Sequence, residues 1–260
     1  MDKDYLNNYY SNYDEDGRLD RKHSKIEFLT SIKYIEKYLK LGDRILEVGA
    51  GTGRYSLHFA RQGYQINAIE LVQHNIDVFK SKILSTDSIN LIKGNALDLS
   101  VYDDNTFDVT MVLGPMYHVF NLEDKNKVIE KALRVTKKSG YLFIAYITHD
   151  AVIASWGLLK GNLTKNNVDK MFTDDYKCIS TPKELFAMFH VKEFNDLLAA
   201  YPIEHMHTVA TDGIAPWFRE LFHNIDEEQY QEWLKYHFAT CEREDLMGYS
   251  NHVLYVGKKK

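Results

Sequence analysis

"RILEVGAGTGRY", residues 44–55, sets a carboxylate near the end of an apolar run and follows it with glycines at 49, 51 and 53. Five residues of this kind, Arg44 to Val48, read as a short buried strand. The segment from Thr52 to Gln62 reads as a helix, closed near its C-cap by Gly63. Strand, glycine turn and helix make half of a βαβ unit. In an open parallel sheet, ligands bind beyond the carboxyl ends of the strands, where glycine lets another group approach the backbone.

The units on either side continue the pattern. Upstream, Ile26, Leu29, Ile32, Ile35 and Leu39 recur at three- and four-residue steps and predict a helix that stops at Leu41-Gly42-Asp43. Downstream, "QINAIE" (65–70) is a second strand. A helix follows with Val72, Ile76, Phe79 and Ile83 on one face. "INLIKG" (89–94) and "FDVTMVLG" (107–114) are further strands; a helix through Val128, Ile129, Leu133 and Val135 runs to Ser139-Gly140, and "YLFIAYI" (141–147) is a fifth strand. Such alternation predicts an α/β fold with a mostly parallel, doubly wound sheet. After Ile147 it breaks: 148–200 carries no convincing strand, and Thr181-Pro182-Lys183-Glu184 signals a helix start with Leu185, Met188 and Phe189 as its apolar face. Strands resume at "EHMHTVATD" (204–212) and "HVLYVGKK" (252–259), separated by helix through Trp217, Leu221, Tyr230 and Trp233. Four regions result: an N-terminal lid segment and helix (1–40), the core (41–147), a helical cap insertion (148–200), and closing strands and helix (201–260).

Composition excludes several classes. The chain has 260 residues, 45% hydrophobic, which is enough for one sizeable core, and a formal charge of −5, which gives no general attraction to nucleic acid. Cys178 and Cys241 stand far apart, so neither a disulfide framework nor a zinc site is indicated, and a cytoplasmic location is expected. His237 and Cys241 lack a third neighbouring ligand, and no metal is expected. No stretch of 18 apolar residues occurs, so no membrane partner is expected. The sequence leaves the oligomeric state open.

The glycine spacing is G-x-G-x-G. The dinucleotide fingerprint needs G-x-G-x-x-G, and no Gly-Lys-Ser/Thr follows to make a P-loop. Glu70 ends the next strand, where a carboxylate accepts hydrogen bonds from ribose hydroxyls. The ligand so read is an adenosine without a diphosphate. At this point the chain resembles the class I S-adenosylmethionine-dependent methyltransferases: "LEVGAGTG" is similar to their first motif, "AIE" to the acidic end of their second strand, and "GNALDL" (94–99) to their third. The resemblance covers residues 41–147. It implies a Rossmann-like sheet of seven strands with the last reversed, and S-adenosyl-L-methionine as cofactor, leaving S-adenosyl-L-homocysteine as product. By position it implies that Gly49, Ala50, Gly51 and Gly53 lie near the methionyl part, with Glu47 toward its ammonium. It places Glu70 at the ribose diol and Asn95 and Ala96 at the adenine, and it counts Leu71 and Leu113 among the cofactor-binding residues. Asn95 stands where the family commonly has aspartate.

On the acceptor side, the fourth strand runs into Gly114-Pro115-Met116-Tyr117, where nucleobase N-methylating relatives carry Asn/Asp-Pro-Pro-Tyr. Lacking that first carboxamide or carboxylate, the chain is not expected to methylate nucleobase amines; a cap that would enclose a modest acceptor, with the acidic net charge, points to a small-molecule acceptor rather than nucleic acid. Tyr117 and His118 are the catalytic candidates, His118 as a base near neutral pH. The tyrosine-rich N-terminus is expected to fold over the cofactor through Tyr13 and Arg18. Aromatics Trp156, Phe172, Tyr176, Phe186 and Phe189 are expected to form a small core in the cap, with one or two of them turned toward the acceptor pocket. Three other readings remain at this stage: a methyltransferase of nucleic acid or protein, an NAD-dependent oxidoreductase, and a non-catalytic adenosylmethionine-binding protein.

Overall fold

The computed structural model describes residues 3–182 and 186–260. After helices α1 (Lys3–Asn12) and α2 (Lys22–Glu36), strands β1 (Arg44–Val48), β2 (Gln65–Glu70), β3 (Ile89–Lys93) and β4 (Phe107–Val112) alternate with α3 (Arg54–Ala60) and α4 (Gln73–Lys82); α5 (Leu122–Val135) leads to β5 (Thr136–Thr148). The chain then forms α6 (His149–Val152), a π-helical segment Ile153–Leu159, α7 (Lys165–Met171), a two-residue strand β6 (Met188–Phe189) and α8 (Val191–Ala199). It closes with β7 (Ile203–Ala210), α9 (Arg219–Asn224), α10 (Glu227–Thr240), α11 (Glu244–Met247) and β8 (His252–Lys259).

The sheet runs β3-β2-β1-β4-β5-β8-β7, with β6 beside the end of β5. Strands β1 to β5 pair in parallel, and β8 runs antiparallel to both β5 and β7. This is the expected Rossmann-like sheet of seven strands with the last strand reversed, extended by the short β6. Strand order reverses between β1 and β4, which opens a crevice at their carboxyl ends. Because β8 is reversed, its first residue, His252, pairs with Ile147 at that same end.

Period-two alternation divides the core between the two faces. On β5, Leu142, Ile144 and Tyr146 pack with α5 and α8; Phe143, Ala145 and Ile147 pack on the side of α2 and α3. Polar residues ride on the buried face of α2: Glu27, Thr30 and Ser31 are as enclosed as Ile26 and Ile35.

Three expectations need correction. Strand β5 begins at Thr136, not Tyr141, so α5 stops well before Ser139-Gly140. Met188 and Phe189 lie in strand β6, not on a helix face, because edge pairing to Ile147 and Thr148 satisfies their backbone. Of the helix start expected at 181–184 and of its apolar face, residues 183–185 lie outside the described residues. The aromatics of 148–200 also share no core of their own: Phe189 meets Tyr146 and Phe194 edge-to-face in the main core, while Tyr176 is exposed.

The glycines divide their work. Gly49 (φ +76°) leaves room for the Pro115 ring, whose Cδ would lie 2.7 Å from an added Cβ. Gly53 (φ +85°) leaves room for the Phe79 ring, and only at Gly51 (φ +54°) is the space open, with Glu15 Cγ at 3.8 Å. Two glycines therefore serve protein packing. Gly53→Ala combines a left-handed backbone with a clash in the core and should cost about 2–4 kcal/mol, measured as a lower midpoint in urea unfolding. A loss under about 1 kcal/mol would contradict this packing.

Candidate active site

A cavity of about 810 Å³ opens at the carboxyl ends of β1, β2 and β4 and continues under α1 and over β8. Its floor is the glycine turn. Gly49 and Ala50 donate N–H bonds to Ile69 O at 2.8 and 3.0 Å, which fastens the turn to the end of β2. Glu70, buried, completes the attachment: one carboxylate oxygen accepts Gly51 N–H at 2.8 Å, and the other accepts Val72 N–H at 2.8 Å. Burial raises its pKa despite these bonds. Each oxygen keeps acceptor capacity for a ligand hydroxyl.

Glu47 is enclosed more completely. It accepts hydrogen bonds from Ser56 N–H at 3.0 Å and from the Ser56 hydroxyl. Burial pushes its pKa up to about 8, against the opposing effect of those bonds. A cation placed beside it would restore the carboxylate.

The remaining expected residues are distributed unevenly. Ala50, Leu71, Asn95, Ala96 and Leu113 line the cavity with Gly49 and Gly51; Gly53 does not. Asn95 Oδ1 already accepts Leu97 N–H at 3.0 Å, closing a local turn. Tyr117 and His118, on the turn after β4, are buried in the cavity wall. His118 Nε2 lies 2.9 Å from Tyr10 Oη, so helix α1 is latched to the candidate histidine. Tyr13 lines the rim, stacked on Tyr9. Of the 148–200 aromatics, Trp156, Phe172 and Phe186 face the cavity.

Arg18 reaches deeper than its sequence position suggested. It grips Glu27 of α2 with two bonds, at 2.7 and 3.1 Å, and approaches Glu15 at 3.4 Å. Beside it lie two residues that sequence reading passed over. Asp212, just past β7, accepts His252 Nδ1–H at 2.7 Å, the His252 backbone N–H at 3.0 Å and the Ser250 hydroxyl at 2.6 Å. Glu27, Asp212 and His252 bring ligand-type atoms within 4.8 Å of one another. The cluster already holds its own cation in Arg18. A strand-end acid, a strand-opening histidine and a glutamate inside an apolar helix stripe were the available signals; separations of up to 225 residues hid their convergence.

Charge differs at the mouth. Burial, with Arg219 and Arg21 nearby, lowers the His23 pKa to about 4, so this wall is neutral histidine among exposed arginines. His237 bonds Thr30 within the protein and Cys241 meets Tyr34; among the described residues neither joins a metal-type cluster. No helix of the described residues is long and apolar enough to cross a membrane.

Residues 46–144 match the model of a methyltransferase domain. The chain is similar to demethylmenaquinone methyltransferase of Paenarthrobacter aurescens, 32% identical over 114 residues that cover 44% of this chain and 42% of that one. It is similar to ubiquinone biosynthesis O-methyltransferase of Rickettsia bellii, 28% identical over 147 residues covering 55% and 58%. Matches thus span about half the length of these relatives. A solved S-adenosylmethionine-dependent methyltransferase from Methanosarcina mazei shares the fold, with a TM-score of 0.54, 17% identity and coverage of 87% and 96%.

The Glu47 environment sets a pH dependence. Its folded-state pKa lies above the unfolded value near 4.3, so the native state holds a proton that the unfolded chain has lost, and this group lowers stability as pH rises from about 4.5 to 8. Glu47→Gln should therefore flatten the pH profile of unfolding free energy, gaining most relative to wild type near pH 8. Parallel profiles for the two proteins, measured by urea unfolding from pH 5 to 8, would contradict the assignment.

Proposed function

We propose that the protein, whose residues 46–144 match a methyltransferase domain, is a class I S-adenosylmethionine-dependent methyltransferase that transfers a methyl group from S-adenosyl-L-methionine to a small-molecule acceptor. The carrying observation is the pair of buried carboxylates at successive strand ends, Glu47 and Glu70, set around a glycine turn with open space above Gly51. This donor set fits the cofactor. Glu70 offers acceptors to a ribose diol, Glu47 a counter-charge to an ammonium, and the walls at Ala96, Leu113 and Leu71 an apolar slot for adenine. A site for NAD would need diphosphate-binding N–H groups at a helix start, whereas Gly53 at the head of α3 is filled against Phe79.

When bound, the cofactor supplies an electrophilic methyl on a sulfonium. The residues of the chain position and enclose. Glu70 orients the nucleoside through the same carboxylate that fixes the turn. Helix α1, held by Tyr10 on His118 and by Leu6 against Val72, closes over the cavity and limits water. Tyr117, Trp156 and Phe186 give the acceptor end aromatic walls, which suit a modest organic molecule better than a polymer. The names of the quinone-methylating relatives support the same class.

Calorimetry should find micromolar binding of S-adenosylmethionine and S-adenosylhomocysteine and none of NAD. Loss of one or two charge-assisted bonds in Glu70→Ala should weaken cofactor binding about 10- to 100-fold. Binding of NAD alone, or undiminished affinity in a folded Glu70→Ala variant, would overturn this reading.

A further inference from the structure

We propose that His252 is the general base of the transfer, that Asp212 positions it, and that the acceptor presents an ionisable hydroxyl of phenol or enol type. The inference rests on the methyltransferase reading and deepens it. His252 opens β8 opposite Ile147, at the end of the sheet where the crevice lies, and its side chain lines the cavity 5.8 Å from the Tyr117 ring, centroid to centroid.

Its two nitrogens have different surroundings. Nδ1 faces Asp212 Oδ2 at 2.7 Å and Glu27 Oε2 at 3.4 Å, two acceptors that keep a proton on that nitrogen. The neutral ring therefore carries its basic lone pair on Nε2. Among the described residues no hydrogen bond engages Nε2. The other cavity histidines are placed differently: His118 Nε2 meets Tyr10, and His23 is flanked by Arg21 and Arg219. Asp212 is held in turn by Ser250 and by the His252 backbone, so the imidazole has one orientation.

The groups facing His252 are Glu27 from α2, Asp212 after β7, Arg18 and Glu15 from the N-terminal segment, and Tyr117 after β4. Burial and Arg18 disfavour the imidazolium, yet Glu27 and Asp212 prevail and raise the His252 pKa. Asp212 itself is held below the usual carboxylate range, because the His252 charge and the bonds from His252 and Ser250 outweigh its burial. A stronger base suits a weakly acidic donor. A neutral amine already has a free lone pair; a hydroxyl becomes a competent nucleophile when its proton leaves. In the step, the acceptor proton passes to His252 Nε2, the oxygen bonds to the methyl carbon, and the methyl–sulfur pair returns to sulfur. The imidazolium then gives its proton to solvent.

Two readouts test this on the full chain. In the first, NMR titration of the imidazole protons, assigned with His252→Gln, should place the His252 midpoint above 6.5, and Asp212→Asn should move it down. In the second, radiolabelled S-adenosylmethionine is offered with catechol, 4-nitrophenol and the matching anilines. Wild type should methylate a phenol with a rate that rises with pH, is half-maximal at the NMR midpoint and levels off above it. His252→Gln should lose about 100-fold or more in kcat while cofactor affinity stays within about threefold. A midpoint below 6.5 would overturn the proposal. So would phenol turnover that survives His252→Gln, or anilines alone being methylated, or no phenol being methylated by a protein that binds cofactor. Absence of cofactor binding by folded wild type would instead overturn the methyltransferase reading, and the proposal with it.

Discussion

The bond from Gly51 N–H to the Glu70 carboxylate joins the glycine turn after β1 to the end of β2, and the geometry of the site follows from it. A turn with positive φ at three positions has little internal preference to hold one shape. Glu70, with Ile69 O accepting from Gly49 and Ala50, supplies that preference from the neighbouring strand. The same carboxylate is buried and retains unused acceptor sites. Structure and recognition therefore draw on one group, and a ligand hydroxyl meets an oxygen whose position the sheet has already set.

Two more enclosed charge centres extend this arrangement. Glu47, held by Ser56 at the head of α3, is kept from ionising by burial and awaits a positive partner. The Arg18–Glu27 pair brings the N-terminal segment across α2 to the far end of the cavity, where Asp212 and His252 meet it. An enclosed ion pair such as Arg18–Glu27 adds little to stability compared with apolar packing, so its retention fits a role in binding and chemistry. The cavity thus has an acidic, hydrogen-bonding half over β1 and β2 and a half that mixes aromatic walls with an acid–base cluster over β5 and β8.

Much of this was legible in the sequence because it is local. Alternating strands and helices, the Glu47 and Glu70 strand ends and the "GNALDL" turn all lie within short windows, and the mostly parallel, doubly wound sheet followed from their pattern. Edge pairing is not local: Met188 and Phe189 read as helix until β5 offered them a ladder. The glycines were legible as sites of exclusion but not for what they exclude, since Pro115 and Phe79 approach through tertiary packing. Glu27, Asp212 and His252 come from a helix, a strand exit and a strand entry, and only the reversal of β8 carries His252 to the crevice.

On the proposed function, the buried carboxylates at the strand ends, Glu47 and Glu70, receive a cationic nucleoside. Calorimetric titration of S-adenosylmethionine at pH 7 in two buffers of different ionisation enthalpy measures it most directly. Binding should release protons, as the ammonium draws the proton from Glu47, and Glu47→Gln should abolish that release. Tight binding whose enthalpy is the same in both buffers would contradict it.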